Sequence, residues 1–274
     1  MTLAYIIIAT AAGGALSVLI AATLTVGLLG RVVRNLVSLS AGVLLATSLL
    51  HVLPEAFEHA VAGAAEASAA GHHRPTPATL FATLLAGLLF FWLLEKAELY
   101  RHMHHHEGDG HDHHHHFDAQ QAGRGGLAVL VGDGVHNFCD GVIIAAAFLA
   151  NPTLGFVTAL AVAMHEIPQE AGDYIVLLNA GLSRTRALAY NLLSGAAAVI
   201  GGVLGYYLVG PFEYLLPYLL VAASSSFIYV AVADLLPQLQ KRLSWRETAA
   251  QVAWLLAGLG LILLARELLH RSGH

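Results

Sequence analysis

Apolar runs long enough to cross a hydrocarbon core of about 30 Å recur along this chain. They fall at 3–29, 36–60, 78–100, 126–150, 153–181, 185–210, 214–238 and 249–269. Backbone in hydrocarbon must satisfy its hydrogen bonds internally, and single runs of this length do so as helices. The composition agrees, with 57% hydrophobic and 11% charged residues and a mean hydropathy of +0.67. These are membrane-protein values. The expected fold is therefore an all-α integral membrane protein of eight transmembrane helices, one domain over 1–274, with the lipid bilayer as its surroundings. The first run lacks a basic leader and a small-residue cleavage site, so it reads as a spanning helix rather than a signal peptide.

Basic residues set the expected orientation. Arg31, Arg34, Lys96, Arg101, Arg124, Arg184, Arg186, Lys241, Arg242 and Arg246 fall beside one set of alternate loops, and only Arg74, Arg266 and Arg271 beside the other. By the positive-inside rule the first set is cytoplasmic, both termini lie outside, and the loop 101–125 is inside. The membrane expected is a plasma or inner membrane. The lone Cys139 allows no intramolecular disulfide. Nothing in the chain points to nucleic-acid binding, since no basic patch is interleaved with aromatics.

Two of the runs carry polar residues where lipid would penalise them. The run 126–150 holds Asp133, His136, Asn137, Cys139 and Asp140, and the run 153–181 holds His165, Glu166, Gln169, Glu170 and Asp173. An ionisable group facing lipid at mid-span costs roughly 2.5 to 3.5 kcal/mol, so these must face protein, water or an ion. On a helix, residues four apart share a face. His136 then lies over Asp140, Asp133 over Asn137, His165 over Gln169, and Glu166 over Glu170. Asn151-Pro152 is the turn signal between the runs. A hairpin bent there sets residue 138 opposite 165, roughly 20 Å down at about 1.5 Å per residue. Nitrogen and oxygen donors from two helices would converge at mid-membrane depth, as a divalent-cation site requires. Pro168, inside the second run, removes a backbone hydrogen bond where an ion would need room and oxygens.

Other polar residues flank this pair. His51, Glu55 and His59 share a face toward the outer end of the second run. For His51 and Glu55 the expectation is a transport pathway that hands cations inward, with Asp133 and Asp173 continuing it. For His59 and Glu58, interfacial polarity serves as well. His72 and His73 sit in an outer loop. Phe90, Phe91, Trp92, Glu95 and Lys96 mark a membrane interface. The loop 101–125 carries His102, His104, His105, His106, His111, His113, His114, His115 and His116 among acidic residues. It has no apolar period and cannot pack a core. It is expected to bind zinc, nickel or copper at many weak sites, for sensing, buffering or delivery. Asn191, Ser194, Gly195, Gly201, Gly202 and Gly205 form a small-residue face suited to close packing, with Asn191 also a candidate for the ion path. Asp234 is either a solvated carboxylate or an exit-path residue.

The segments His136-Asn137-Phe138-Cys139-Asp140-Gly141 and His165-Glu166-Ile167-Pro168-Gln169-Glu170-Ala171-Gly172-Asp173 resemble the paired signatures of the ZIP (Zrt/Irt-like) family of divalent metal transporters. The resemblance extends to His51-Val52-Leu53-Pro54-Glu55-Ala56, to Leu94-Glu95-Lys96, and to Tyr229-Val230-Ala231 with Asp234 and Pro237. It implies transport of zinc, with cadmium, iron or manganese as further substrates, toward the cytoplasm through a binuclear site, without an organic cofactor. It implies that His136, Asp140, His165 and Gln169 line the main site. Asn137, Asp140, Glu166 and Glu170 would lie at the adjacent one, with Asp173 below. It also implies a homodimer in which the first, fourth, fifth and sixth helices move against the others. One departure is Gln169, where many relatives have histidine; its neutral amide oxygen is a harder donor.

Two further readings belong to other classes. His165-Glu166 begins like H-E-x-x-H, which would make the chain an intramembrane zinc metalloprotease, but Gln169 stands where the second histidine should be. The His-rich loop by itself suits a membrane metal sensor that does not transport.

Overall fold

Thr2 to Gly27 contains no charged residue, and it forms one unbroken helix, α1 (Thr2–Gly27). In this computed structural model the described residues are 1–27, 29–62, 75–103, 119–179, 181–210, 212–240 and 244–272, and they form helices and short connections with no strand among them. His72, His73 and the tract from His104 to His116 lie outside them, as do the side chains of His102 and Asp234.

Prolines shape the two spans that are not regular throughout. α2 (Leu29–Thr47) runs through a π-bulge at Ser48–Val52 into α3 (Leu53–Ala62), and α8 (Leu216–Tyr229) runs through a second π-bulge at Val230–Leu235 into α9 (Leu236–Leu239). In each case a proline, Pro54 or Pro237, stands at the second residue beyond the bulge. Proline supplies no N–H and its ring crowds the carbonyl four residues back, and widening the preceding turn relieves both. The residue just before each proline then donates five residues back: Leu53 to the Ser48 carbonyl and Leu236 to the Ala231 carbonyl.

The connections have local causes as well. α4 (Pro77–Met103) opens on a proline, which fits the first turn because its missing N–H would be unpaired there anyway. α5 (Ala119–Ala150) and α6 (Pro152–Asn179) are separated by Asn151 alone. Asn151 Oδ1 accepts from the Leu154 N–H at 2.7 Å and caps α6. α6 closes on Gly181 at φ 86, with Gly181 N–H bonded to Leu178 O and Leu182 N–H to Leu177 O, a Schellman turn that favours glycine. Ser183 then caps α7 (Arg184–Val209) by accepting from Arg186 N–H. Ser244 and Glu247 exchange capping bonds at the start of α10 (Trp245–Ser272).

Seven stretches among the described residues are long and apolar enough to cross a membrane. α6, the fifth of the eight runs expected, is helical over its whole length but is not one of the seven. His165, Glu166, Gln169, Glu170 and Asp173 dilute its apolar character.

α1, α5, α6 and α7 pack on one another. α2 lies between this group and α10, touching α6 on one side, while α4 and α3 pack on α8. Glycine lets two pairs of helices touch backbone to backbone. A Cβ on Gly141 would meet the Ala198 carbonyl and lie 2.7 Å from Gly202 N, and one on Gly201 would meet the Phe138 carbonyl, so α5 and α7 are in direct main-chain contact. Gly42 and Gly258 do the same for α2 against α10. The shared core includes Ile6, Leu44, Ile144, Phe148, Leu220 and Phe227. Leu85, Leu89, Leu263 and Leu264, on α4 and α10, are exposed. An apolar exterior of this kind suits hydrocarbon rather than water.

Candidate metal centre

Asp133, His136, Asn137 and Asp140 stand on one face of α5, and His165, Glu166, Gln169 and Glu170 on one face of α6. The short hairpin at Asn151 turns these faces toward each other. His136 Nε2 and His165 Nε2 are 3.3 Å apart. His165 Nε2 lies 3.1 Å from Asp140 Oδ2 and 3.4 Å from Glu166 Oε1, and His136 Nε2 lies 3.7 Å and 3.6 Å from the same two oxygens. One donor atom from each of these four residues falls within 4.8 Å of every other. Asp133, Glu166 and Glu170 form a second cluster by the same measure. Glu166 belongs to both.

Burial gives these contacts their meaning. Asp140, His165, Glu166 and Glu170 are each 2% exposed or less. Both carboxylate oxygens of Asp140, of Glu166 and of Glu170 lack a hydrogen-bond donor among the described residues. His165 Nδ1 lies 3.2 Å from the Ala161 carbonyl, which can only accept, so a hydrogen on Nδ1 satisfies this contact. In the neutral ring Nε2 then carries the lone pair and faces carboxylate oxygens, acceptor against acceptor. Buried charges are tolerated when they are paired or coordinate a cation, and these oxygens have no paired donor.

Asp133 is the hub beside the cluster. Its Oδ1 accepts from Asn137 Nδ2 at 3.0 Å and from Gln169 Nε2 at 3.2 Å, and its Oδ2 accepts from the Ser194 hydroxyl on α7. The amide nitrogens of Asn137 and Gln169 are thereby turned toward Asp133. Asn191, also on α7 and fully buried, donates to the Glu170 carbonyl at 3.1 Å. Asn191 is a candidate by sequence, whereas Ser194 does not stand out from the small-residue face that holds it; only its register with the glycines, one helical face shared with α5 contacts, points to it.

Of the remaining candidates, His51 and Glu55 belong to the span formed by α2 and α3, and Asp173 lies near Glu166 and Glu170. His51 is buried within the first π-bulge, and neither of its ring nitrogens has a partner among the described residues. Glu55, expected to open a pathway, is engaged: Asn151 Nδ2 donates to its Oε1 at 2.5 Å, and His59 Nε2 lies 3.5 Å from the same oxygen. The cap that Asn151 provides for α6 aims its amide nitrogen at α3, and Glu55 closes against it. Asp173 is half-buried on α6, three residues past Glu170. The His-rich tract lies outside the described residues.

A sequence model of the ZIP zinc transporter family matches residues 95–266, more than half of the chain. The chain belongs to the ZIP zinc transporter family. Among ZIP relatives it is 39% identical over 137 residues to "Zinc transporter foi" of Drosophila melanogaster, 41% over 144 residues to "Zinc transporter ZIP10" of Danio rerio, and 40% over 134 residues to "Zinc transporter ZIP4" of Homo sapiens. Those matches cover 50%, 50% and 49% of this chain but 19%, 17% and 20% of the relatives, so this ZIP chain spans no more than a fifth of their length. The matched family region includes both clusters and Pro237, and it begins after Pro54.

The ZIP resemblance sets Gln169 with His136, Asp140 and His165, and Asn137 in the adjacent site. Here the amide nitrogens of both residues are bonded to Asp133, and Glu166 joins the histidines and Asp140. An amide holds a carboxylate through its N–H group, and this chain places two amides beside one carboxylate.

Proposed function

We propose that this chain carries divalent cations, zinc foremost, across a membrane into the cytoplasm through the buried centre between α5 and α6. It works as a transporter and not as an enzyme. One observation carries the reading: six buried carboxylate oxygens lack hydrogen-bond donors among the described residues, and two of them, Asp140 Oδ2 and Glu166 Oε1, lie 3.1 to 3.7 Å from the Nε2 atoms of His136 and His165. A dication supplies the charge this arrangement lacks. Two imidazoles and two carboxylates suit zinc, and cadmium, iron and manganese are further candidates. The all-oxygen cluster of Asp133, Glu166 and Glu170 supports a second ion beside the first, with Glu166 shared, which makes the centre binuclear.

The finer arrangement follows the sequence. α6 also spans and brings the spans to eight, its polar face turned inward on α5 and α7. Both termini are outside, the segment 101–125, which includes the end of α4 and the start of α5, is cytoplasmic, and the protein is a homodimer in a plasma or inner membrane. His51 and Asp173 continue the path above and below the centre, and the His-rich loop holds metal on the cytoplasmic side without being needed for passage. Family membership and the apolar exterior support a membrane transporter. The protease reading needs a second imidazole on α6, and the residue at that place is Gln169, bonded to Asp133.

The test is metal uptake into proteoliposomes loaded with a fluorescent chelator, with zinc, cadmium, manganese, iron and cobalt offered in turn. Saturable influx that vanishes in His136→Ala and in His165→Ala, with both variants folded and expressed, is the expected result. Undiminished influx in either variant refutes the placement of the centre. Binding without influx refutes transport.

A further inference from the structure

Pro168 lies inside α6 and has no N–H, so the Met164 carbonyl four residues back loses the donor that a helix ordinarily supplies to it. Met164 directly precedes His165 and Glu166. The Ser40 hydroxyl, from α2, donates to Met164 O at 2.6 Å, and Ser40 is fully buried. Serine and threonine hydroxyls in a helix ordinarily turn back onto a carbonyl three or four residues earlier. Thr10, Ser17, Thr83 and Ser225 all do so here. Ser40 instead reaches across to another helix, and it reaches the carbonyl of α6 whose usual donor the proline removes.

We propose that Ser40 is a positioning residue for the metal centre. Its hydroxyl stands in for the N–H that Pro168 lacks. It holds the turn of α6 that begins at Met164 and so fixes the height at which His165 and Glu166 meet His136 and Asp140. The same bond ties the α6 ligands to α2, a helix with no residue in either cluster. Proline loosens the ladder where the ligands sit, and Ser40 restores definition from outside. The metal readout of this inference rests on the transport reading above; the spectroscopic readout does not.

The test is a four-variant cycle of the wild type, Ser40→Ala, Pro168→Ala and the double variant. The chain has 3 methionines, Met1, Met103 and Met164, so carbonyl-13C methionine labelling gives an infrared spectrum with few bands. Ser40→Ala should move one band to higher frequency, and the same substitution in the Pro168→Ala background should move none, because residue 168 then supplies the backbone N–H. Zinc affinity, read by competition with a chromophoric chelator, should fall about tenfold in Ser40→Ala, the lower end of losses seen for groups that support ligands. It should change less than about twofold when Ser40→Ala is added to Pro168→Ala. Ser40→Thr, which keeps the hydroxyl, should retain affinity. A methionine spectrum unmoved by Ser40→Ala, or an equal affinity loss in both backgrounds, overturns the proposal. Should Ser40→Ala fail to fold, recovery of folded protein in the double variant supports it, and failure of both assigns Ser40 to packing alone. A wild type that binds no zinc removes the transport reading while the infrared comparison still decides the bond.

Discussion

Asn151→Ala should destabilise the protein more than a loop substitution normally does, because this side chain serves two elements at once. Its Oδ1 caps α6 at Leu154 N–H, and loss of such a cap costs about 1 kcal/mol. Its Nδ2 donates to Glu55 Oε1, and a hydrogen bond to a charged group contributes about 1.5 to 3 kcal/mol. The Glu55 side chain is 26% exposed and keeps His59 as a neighbour at 3.5 Å, so the lower end applies to the second contribution. The sum is about 2 to 3 kcal/mol, or about 4 to 10 °C in Tm for a domain of this size. The sole cysteine, Cys139, is half-buried on α5, which suits a thiol-reactive fluorogenic dye as the unfolding probe. Two controls separate the contributions. Glu55→Ala keeps the cap, removes the contact across to α3 together with the weaker one to His59, and should cost about half as much. Asn151→Asp keeps the cap and sets a carboxylate against Glu55, so it should lose stability through repulsion and regain part of it in combination with Glu55→Gln. An Asn151→Ala protein within about 2 °C of the wild type would refute the reasoning, since neither bond could then carry the values assigned.

Other expectations are shorter to state. Asp140→Asn removes a buried charge from the four-residue cluster and should weaken zinc binding by at least about tenfold in chelator competition; unchanged affinity would argue against direct ligation. Ser194→Ala takes a hydroxyl from Asp133 Oδ2 and should lower metal affinity with little effect on expression, a result read by the same competition assay. Gly201→Val puts branched carbons into the Phe138 carbonyl, so it should prevent folding or lower Tm sharply, as size-exclusion profiles after heating would reveal. Deletion of 102–116 should leave uptake into proteoliposomes largely intact, and complete loss in a folded deletion protein would give the loop a part in passage itself.

Much of this geometry is legible in the residues. Four-residue spacing alone pairs His136 with Asp140 and Glu166 with Glu170, and Asn151-Pro152 announces the bend that turns the two faces together. The π-bulges have a written signal as well, in Pro54 and Pro237, although proline is more readily taken for a kink or a helix end than for a widened turn. Three features escape a linear reading. Ser194 sits in a row of small residues where packing is the expected role, and its bond to Asp133 depends on how α7 is rotated against α5. Gln169 shares a face with His165 by spacing, but an amide has both a donor and an acceptor end, and only the position of Asp133 decides which end points where. Ser40 carries no mark at all, because its partner is a gap in the hydrogen bonding of another helix, 124 residues away.

The glycine contacts between α5 and α7 have a consequence for movement. Helices separated by a layer of side chains can shift by changing rotamers, each a small step with a low barrier. Between Gly141 and Ala198, and between Gly201 and Phe138, main chain meets main chain, and there are no rotamers to change. The two helices behave as a single casting. His136 and Asp140 cannot travel without Asn191 and Ser194, so Asp133 keeps its hydroxyl donor wherever the centre goes. Any rearrangement of this protein must find its slip plane elsewhere, where leucine, valine and phenylalanine lie between the backbones.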